Sequence, residues 1–161
     1  MSDGGRPESR ANLVLEDLTA ATQGQARSLI LAGLREHWGS LDPGLNPELD
    51  DMLASYAAGR TVVARFGDGP ILGTGTVLPR SNQTAEVTRM SVERTMRGQG
   101  IGRQIVEELV ETARAWSCTE VVLETSSTWT DAVQFYMASG FTITGVEPGD
   151  YGENTWFRRT V

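Results

Sequence analysis

Residues 85 to 103 read AEVTRMSVERTMRGQGIGR. A β-rich run, Ala85–Val92, passes through a glycine-rich bend into a helical pattern starting near Gly100. The stretch therefore demands a strand, a tight loop and a helix in immediate succession. At such a junction the first N–H groups of the helix lack intrahelical acceptors, and the helix dipole favours an anion. Gly98 and Gly100 allow backbone angles closed to other residues, and Gly102 lets a ligand approach with no Cβ in the way. Arg97 and Arg103 flank this cradle and are placed to neutralise phosphate charge. The glycines run G-x-G-x-G, so Arg103 stands where a dinucleotide fingerprint needs glycine. The stretch holds no lysine, which excludes a Walker loop, and there is no G-x-S-x-G elbow. A pyrophosphate cradle without hydrolysis machinery points to a cofactor used as a carrier.

The chain has 161 residues, enough for one domain with its own core. Twenty-one acidic against 14 basic residues give a net charge of −7. That balance argues against nucleic-acid and anionic-membrane binding, whose phosphate affinity comes from clustered Lys and Arg. It would suit attraction of a cationic substrate, although acidic solubility is the more common explanation. Cys118 and His37 are the single Cys and the single His, so neither an internal disulfide nor a Cys/His zinc site can form. Neither residue lies in a nucleophile motif, and no metal is expected. No apolar run approaches the roughly 20 residues of a membrane span, and MSDGGRPESRAN lacks a signal-peptide core. The expectation is a cytoplasmic protein, with residues 1–10 a disordered leader and 11–161 a single domain.

Leu13, Leu15 and Leu18 mark a short first strand. Thr22–Trp38 spaces Ala26, Leu29, Ile30, Gly33, Leu34, His37 and Trp38 as one face of a helix, with Gly39 suited to a left-handed cap. A second helix is predicted from Asn46 as N-cap and Pro47 at the first position, with acidic Glu48, Asp50 and Asp51 following. Its apolar face is Leu49, Met52, Leu53 and Tyr56, and Gly59 ends it. Thr61–Phe66 and Ile71–Leu78 form a hairpin about Gly67–Pro70. After Ala85–Val92 comes a long helix, Gly100 to Ser117, striped by Ile101, Ile105, Leu109, Ala113 and Trp116. Strand Glu120–Thr125, helix Asp131–Ser139 and strands Phe141–Val146 and Thr155–Val161 complete the order, the last two joined by a long loop over residues 147–154. The pattern β-α-α-β-β-β-α-β-α-β-β is a mixed α/β sheet with a helical pair inserted early.

Arg97-Gly98-Gln99-Gly100-Ile101-Gly102 resembles the (Gln/Arg)-x-x-Gly-x-(Gly/Ala) motif of the GNAT superfamily of acetyl-CoA-dependent N-acetyltransferases. A second block, Ala132-Val133-Gln134-Phe135-Tyr136-Met137-Ala138-Ser139-Gly140-Phe141, is similar to that family's A-x-x-(apolar)-Y-x-x-x-G-F pattern. The resemblance implies a mostly antiparallel sheet of about seven strands, splayed between the fourth and fifth and flanked by about four helices. It implies acetyl-CoA as cosubstrate. The pantetheine would pair with Met90, Ser91 and Val92, and the diphosphate would rest on the loop from Arg97 and Gly98 through Gln99, Gly100, Ile101 and Gly102 to Arg103. The chain departs from the family at Trp129, where many relatives carry Asn.

Acetyl transfer to an amine requires a neutral amine, a stabilised oxyanion and a protonated leaving thiolate. By resemblance Tyr136 is the general acid and Glu86 the base, acting through water. Tyr136 is also suited to filling a core, and Glu86 to pairing with Arg89 or solvent. Family members offer a backbone N–H near Met90 and Ser91 to the thioester carbonyl. Asp50 and Asp51 would draw an ammonium group to the cleft or simply stabilise a helix start. Trp38, Tyr56, Trp129 and Tyr151 are candidate acceptor-pocket aromatics, and the Trp38–Pro43 stretch suits a compact lid. The expected acceptor is a small-molecule amine. A protein or peptide acceptor and a non-catalytic CoA-binding sensor are the alternatives, and a homodimer is compatible with such a domain.

Overall fold

The computed structural model of the chain describes residues 12–42, 44 and 46–161. The expected leader and the turn at Pro43 lie outside the described residues. The elements are β1 (Leu13–Asp17), α1 (Gln23–Trp38), a 3-10 segment Pro47–Asp51 running into α2 (Met52–Ser55), β2 (Arg60–Phe66), β3 (Gly73–Pro79) and β4 (Thr84–Val92). Then follow α3 (Ile101–Ala115), β5 (Glu120–Ser126), α4 (Thr130–Ala138), β6 (Thr142–Gly149) and β7 (Gly152–Thr160). This is the expected order.

The strands form one seven-stranded sheet in the order β1-β2-β3-β4-β5-β7-β6. Every neighbouring pair is antiparallel except β4 and β5, which are parallel. That parallel pairing covers only Thr84↔Glu120, Ala85↔Val121 and Glu86↔Val122. Beyond it β4 runs on to Val92 and β5 to Ser126 without pairing, so the sheet parts. A bulge accompanies the parting. The β3–β4 register passes from Thr76↔Thr88 to Thr74↔Ser91, leaving Gly75 opposite both Arg89 and Met90. Such an insertion bends its strand and strengthens the twist, which turns β4 away from β5. Arg89 takes φ 55°, a left-handed conformation that is uncommon for a residue with a side chain.

Strand alternation sends Val62 to one face of the sheet and Val63 to the other, and each face has its own core. Helix α3 lies on the first face, where Ile105, Val106, Leu109 and Val110 are fully buried. Each such side chain contributes about 1.5–3 kcal/mol of burial energy. Gly75 permits this approach, because a Cβ there would stand 2.6 Å from the Met90 sulfur and 2.7 Å from Ile105. On the second face α1 buries Ala26 and Ile30 against Leu49, Met52 and Val63.

Two sequence expectations are corrected. The segment after Asn46 is a 3-10 helix followed by one α turn. Asn46 makes no cap bond; its Oδ1 accepts from Arg89 Nη1 at 3.2 Å, and Asp51 caps instead by accepting from the Ala54 N–H at 3.2 Å. Leu53 is exposed rather than part of the buried face. The long loop expected over residues 147–154 is mostly strand: β6 and β7 pair as far as Gly149↔Gly152, leaving Asp150 and Tyr151 as the turn. Cross-strand pairing outweighs the poor strand propensity of Glu147, Pro148 and Gly149, and Pro148 is tolerated because β6 is an edge strand.

Candidate active site

The cradle forms as its residues demand. Gly98 and Gly100 have φ of 77° and 87°, and Cβ atoms at either would meet nothing within 4 Å, so the space above the loop is open. The Gly100 carbonyl opens α3 by accepting from the Gln104 N–H at 3.1 Å. The N–H groups of Ile101, Gly102 and Arg103 are then those of a first helical turn, with no i−4 carbonyl inside the helix. Open space, helix start and parted sheet coincide here, which suits a diphosphate followed by a slender amide-bearing arm. The side chain of Ile101 is buried in the α3 core, so only its backbone faces the loop.

Gly102 and Arg97 differ from expectation. A Cβ at Gly102 would meet Phe135 at 3.3 Å and Val92 at 3.5 Å, so this glycine serves close packing of α3 against α4. Arg97 is braced: Nη1 and Nη2 donate to the two carboxylate oxygens of Glu36, each at 2.8 Å, and Nε donates to the Val92 carbonyl at 3.1 Å. The Arg97 hydrogen bonds hold the Glu36 carboxyl below the ordinary carboxylate range. Arg103 Nη2 donates weakly to the Ala138 carbonyl at 3.4 Å.

On β4, Ser91 and Val92 pair with β3, and their opposite edge looks into the gap. The Ser91 hydroxyl donates to the Leu29 carbonyl at 3.4 Å, a contact with α1. Arg89 reaches across to the early helical pair, donating from Nε to the Tyr56 hydroxyl at 2.8 Å and from Nη2 to Glu48 at 3.4 Å. Tyr56 is therefore removed from the other aromatic candidates. Asp50 pairs with Arg27 at 3.1 Å, so the acidic helix start is partnered locally.

Tyr136 is buried among Phe135, Phe141 and Phe157, with ring centroids 5.1, 6.0 and 5.8 Å away. Burial pushes its phenol far above the ordinary value, so the proton stays on. Glu86 is largely buried and accepts from Arg80 Nε at 2.7 Å; Arg80, not Arg89, is its partner. A further carboxylate, without any motif to mark it, stands across the gap. Glu124 on β5 is exposed, yet partial desolvation and then the charges of Glu86 and Glu147 raise its carboxyl above the ordinary value. Its alternation with Val121 and Leu123 was visible in the sequence, but its nearness to Glu86 follows only from the β4–β5 register.

The end of α1, the loop before α4 and the β6–β7 turn meet in an aromatic cluster. His37 lies 4.3 Å from Trp129, and Trp38 lies 6.0 Å from Trp129 and 5.6 Å from Tyr151, centroid to centroid. His37 Nε2 and Thr128 Oγ1 are hydrogen-bonded at 3.2 Å, and burial lowers the His37 pKa. The indole N–H of Trp129 is buried without a partner among the described residues. Glu36 and His37 together tie α1 to both loops that border the gap. Among the described residues no group of three or more His, Cys, Asp or Glu could hold a metal ion, and no helix is long and apolar enough to cross a membrane.

Comparison with known proteins agrees with this geometry. Residues 27–141 match the profile of the acetyltransferase (GNAT) family. The rat (Rattus norvegicus) N-acetyltransferase 8F1 is 33% identical over 108 residues, 63% of this chain and 48% of that protein. The chain thus spans about half the length of the curated relatives it matches. Among solved structures, a GNAT-family acetyltransferase of Staphylococcus aureus has a TM-score of 0.81 at 18% identity, covering 92% of this chain and 99% of that one. YncA of Salmonella typhimurium, crystallised with its cofactor acetyl-CoA, has a TM-score of 0.76 at 18% identity, with 92% and 94% covered. A family profile over most of the domain, on a sheet parted at the expected strands, means that the chain belongs to the GNAT family of acetyltransferases.

Proposed function

We propose that the chain is an acetyl-CoA-dependent N-acetyltransferase that passes the acetyl group directly to a primary amine of a small molecule. The observation that carries this reading is the open glycine cradle at the start of α3, set beside the unpaired edges of β4 and β5. The N–H groups from Gly98 through Gln99 to Arg103 would hold the diphosphate, and the gap-facing edge of Met90, Ser91 and Val92 would pair with the pantetheine amides. Bound there, acetyl-CoA supplies an activated acyl thioester. The backbone at the Arg89–Met90 bulge, unpaired by its own geometry, would donate to the thioester oxygen. Tyr136 gives its proton to the departing sulfur, and Glu86, oriented by Arg80, receives the proton of the amine through water.

The small acceptor is supported by the mutual ring contacts of His37, Trp38, Trp129 and Tyr151, which would form a compact cover rather than an open peptide groove. A cytoplasmic setting is part of the proposal, in keeping with the free, buried thiol of Cys118. The experiment is calorimetric titration with CoA, followed by thiol-release assays against amines, polyamines, amino acids, aminoglycosides and peptides. Turnover with peptides alone would move the acceptor to proteins, and CoA binding without any thiol release would leave a sensor. Cys118→Ala is expected to leave turnover nearly intact, because the thiol is buried beyond the far end of α3; burst kinetics or a trapped acetyl-cysteine would rule out direct transfer.

Charge steering at the early helical pair has its own test. Asp50→Asn combined with Asp51→Asn should raise KM for a cationic amine modestly at low salt. The difference should shrink as the Debye length falls to about 8 Å at physiological ionic strength. An unchanged KM at both salt concentrations would mean that these carboxylates act only on Arg27 and the Ala54 N–H.

A further inference from the structure

The last turns of α1 lie across the place where the sheet parts. Gly33, Glu36 and His37 are three and four residues apart, so they share one face of that helix. Gly33 sits against β4: a Cβ there would stand 3.0 Å from the Ser91 hydroxyl oxygen. One turn on, Glu36 and His37 reach to opposite sides of the gap. Glu36 holds both Nη atoms of Arg97 at 2.8 Å, and Arg97 Nε donates at 3.1 Å to the carbonyl of Val92, the last residue of β4. His37 Nε2 is hydrogen-bonded to Thr128 Oγ1 at 3.2 Å, and Thr128 Oγ1 at 3.1 Å to Ser126 Oγ, on the last residue of β5. Two neighbouring residues of one helix are thus each a single side chain removed from the ends of the parted strands.

The Arg97 contact lies on the gap side of β4. The Glu93 N–H donates to the Leu72 carbonyl at 2.8 Å, so alternation along the ladder turns the N–H and C=O of Val92 away from β3. Arg97 Nε therefore occupies the final gap-facing carbonyl of β4, and its backbone leads directly into Gly98 of the cradle. Arg94 Nε stands 3.9 Å from the Glu36 carboxylate, beyond hydrogen-bond distance. On the other side Trp38 continues the helix into the ring cluster, 6.0 Å from Trp129 and 5.6 Å from Tyr151. Cradle and aromatic cluster are joined by one helical turn. An exposed ion pair ordinarily contributes little, because ordering two long side chains offsets the attraction. When a ligand already holds the loop, that ordering cost falls, and the two-pronged Arg97–Glu36 pair tightens.

We infer that Glu36 is a positioning residue: through Arg97 it ties the aromatic cluster to the cradle, so that filling the cradle steadies the cluster as the cover of the acceptor site. The inference rests on the transferase reading above. Glu36 acts only through Arg97 and the turn of α1 that carries His37 and Trp38. Its loss should therefore leave the N–H groups of the cradle in place and uncouple them from the cover.

Hydrogen exchange of the intact chain, with and without CoA, reads the tie directly. Saturating CoA should slow the amides of residues 34–39 and 127–131 by about 5-fold or more, the size of a modest coupling. In E36A the amides of residues 98–104 should still slow on adding CoA, while those of 127–131 keep their unliganded rate. With the best amine from the screen at saturating acetyl-CoA, E36A should raise KM for the amine by about 5-fold or more and leave kcat unchanged. In an R97A background E36A should add nothing, because the pair is already broken. A carboxylate that simply attracts the amine would raise KM equally in both backgrounds, and that result overturns the inference. Slowing of residues 127–131 in E36A to the wild-type extent overturns it too, and either outcome leaves the transferase reading standing. A chain that binds CoA but releases no thiol with any acceptor overturns the transferase reading, and the exchange rates still decide the tie. A chain that does not bind CoA overturns both.

Discussion

Tyr136→Phe is expected to lower kcat by about 10²- to 10⁴-fold, the range for loss of a positioned general acid, while CoA affinity barely changes. The phenol is buried against three aromatic rings, and burial keeps its proton on well past neutral pH. Phenylalanine preserves those ring contacts and deletes only the hydroxyl. No protein group among the described residues bonds that hydroxyl, so its removal should leave thermal stability unchanged or slightly raised. A fall in kcat with an unchanged melting temperature separates the acid role from core packing. Stopped-flow or steady-state thiol release with the best amine gives kcat, and calorimetry gives the CoA dissociation constant. A variant with wild-type kcat would return Tyr136 to the core of the α4–sheet interface.

Gly100→Trp should abolish CoA binding. The position has φ 87°, where any Cβ is strained by roughly 1–2 kcal/mol. An indole there would also occupy the open space that the first-turn N–H groups of α3 face. Losing two charge-assisted hydrogen bonds, each about 1.5–3 kcal/mol, corresponds to a loss of affinity of about 10²-fold or more. Gly100→Ala keeps the strain and leaves the space open, so it should weaken binding far less. Equal, unchanged affinity in both variants would remove the cradle as the CoA site. Circular dichroism of each variant establishes that α3 and the sheet are intact.

The site was legible where its parts are local. The junction from Ala85 to Arg103 announces itself because glycines at positive φ and a helix start lie within a few residues of each other. Tyr136 was legible only through its motif, since a tyrosine beside Phe135 is equally suited to a core, and it is in fact surrounded by one. The sequence presents Arg97 as a phosphate ligand and hides its brace, because Glu36 is distant in sequence on another helix. The sequence presents Gly102 as ligand clearance and hides its packing role, because Phe135, which it accommodates, belongs to α4. Glu124 carried no local mark at all. Its raised carboxyl comes from partial desolvation and then from Glu86 and Glu147, on strands that only the sheet order brings near β5.

Short-range physics accounts for what the amino-acid sequence determined by itself. Residue spacing of 3.6 and 2 marks helix and strand, glycine marks left-handed backbone, and these sufficed for the element order and the cradle. Tertiary structure decided the rest. Register and strand order chose the bulge at Arg89–Met90, the short β4–β5 pairing that opens the gap, and the tight turn at Asp150–Tyr151. They also assembled the cluster of His37, Trp38, Trp129 and Tyr151 from three separate segments. Burial and charge at a given side chain are sums over neighbours in space, and a local pattern along the chain specifies which face a residue takes but not what it will meet there.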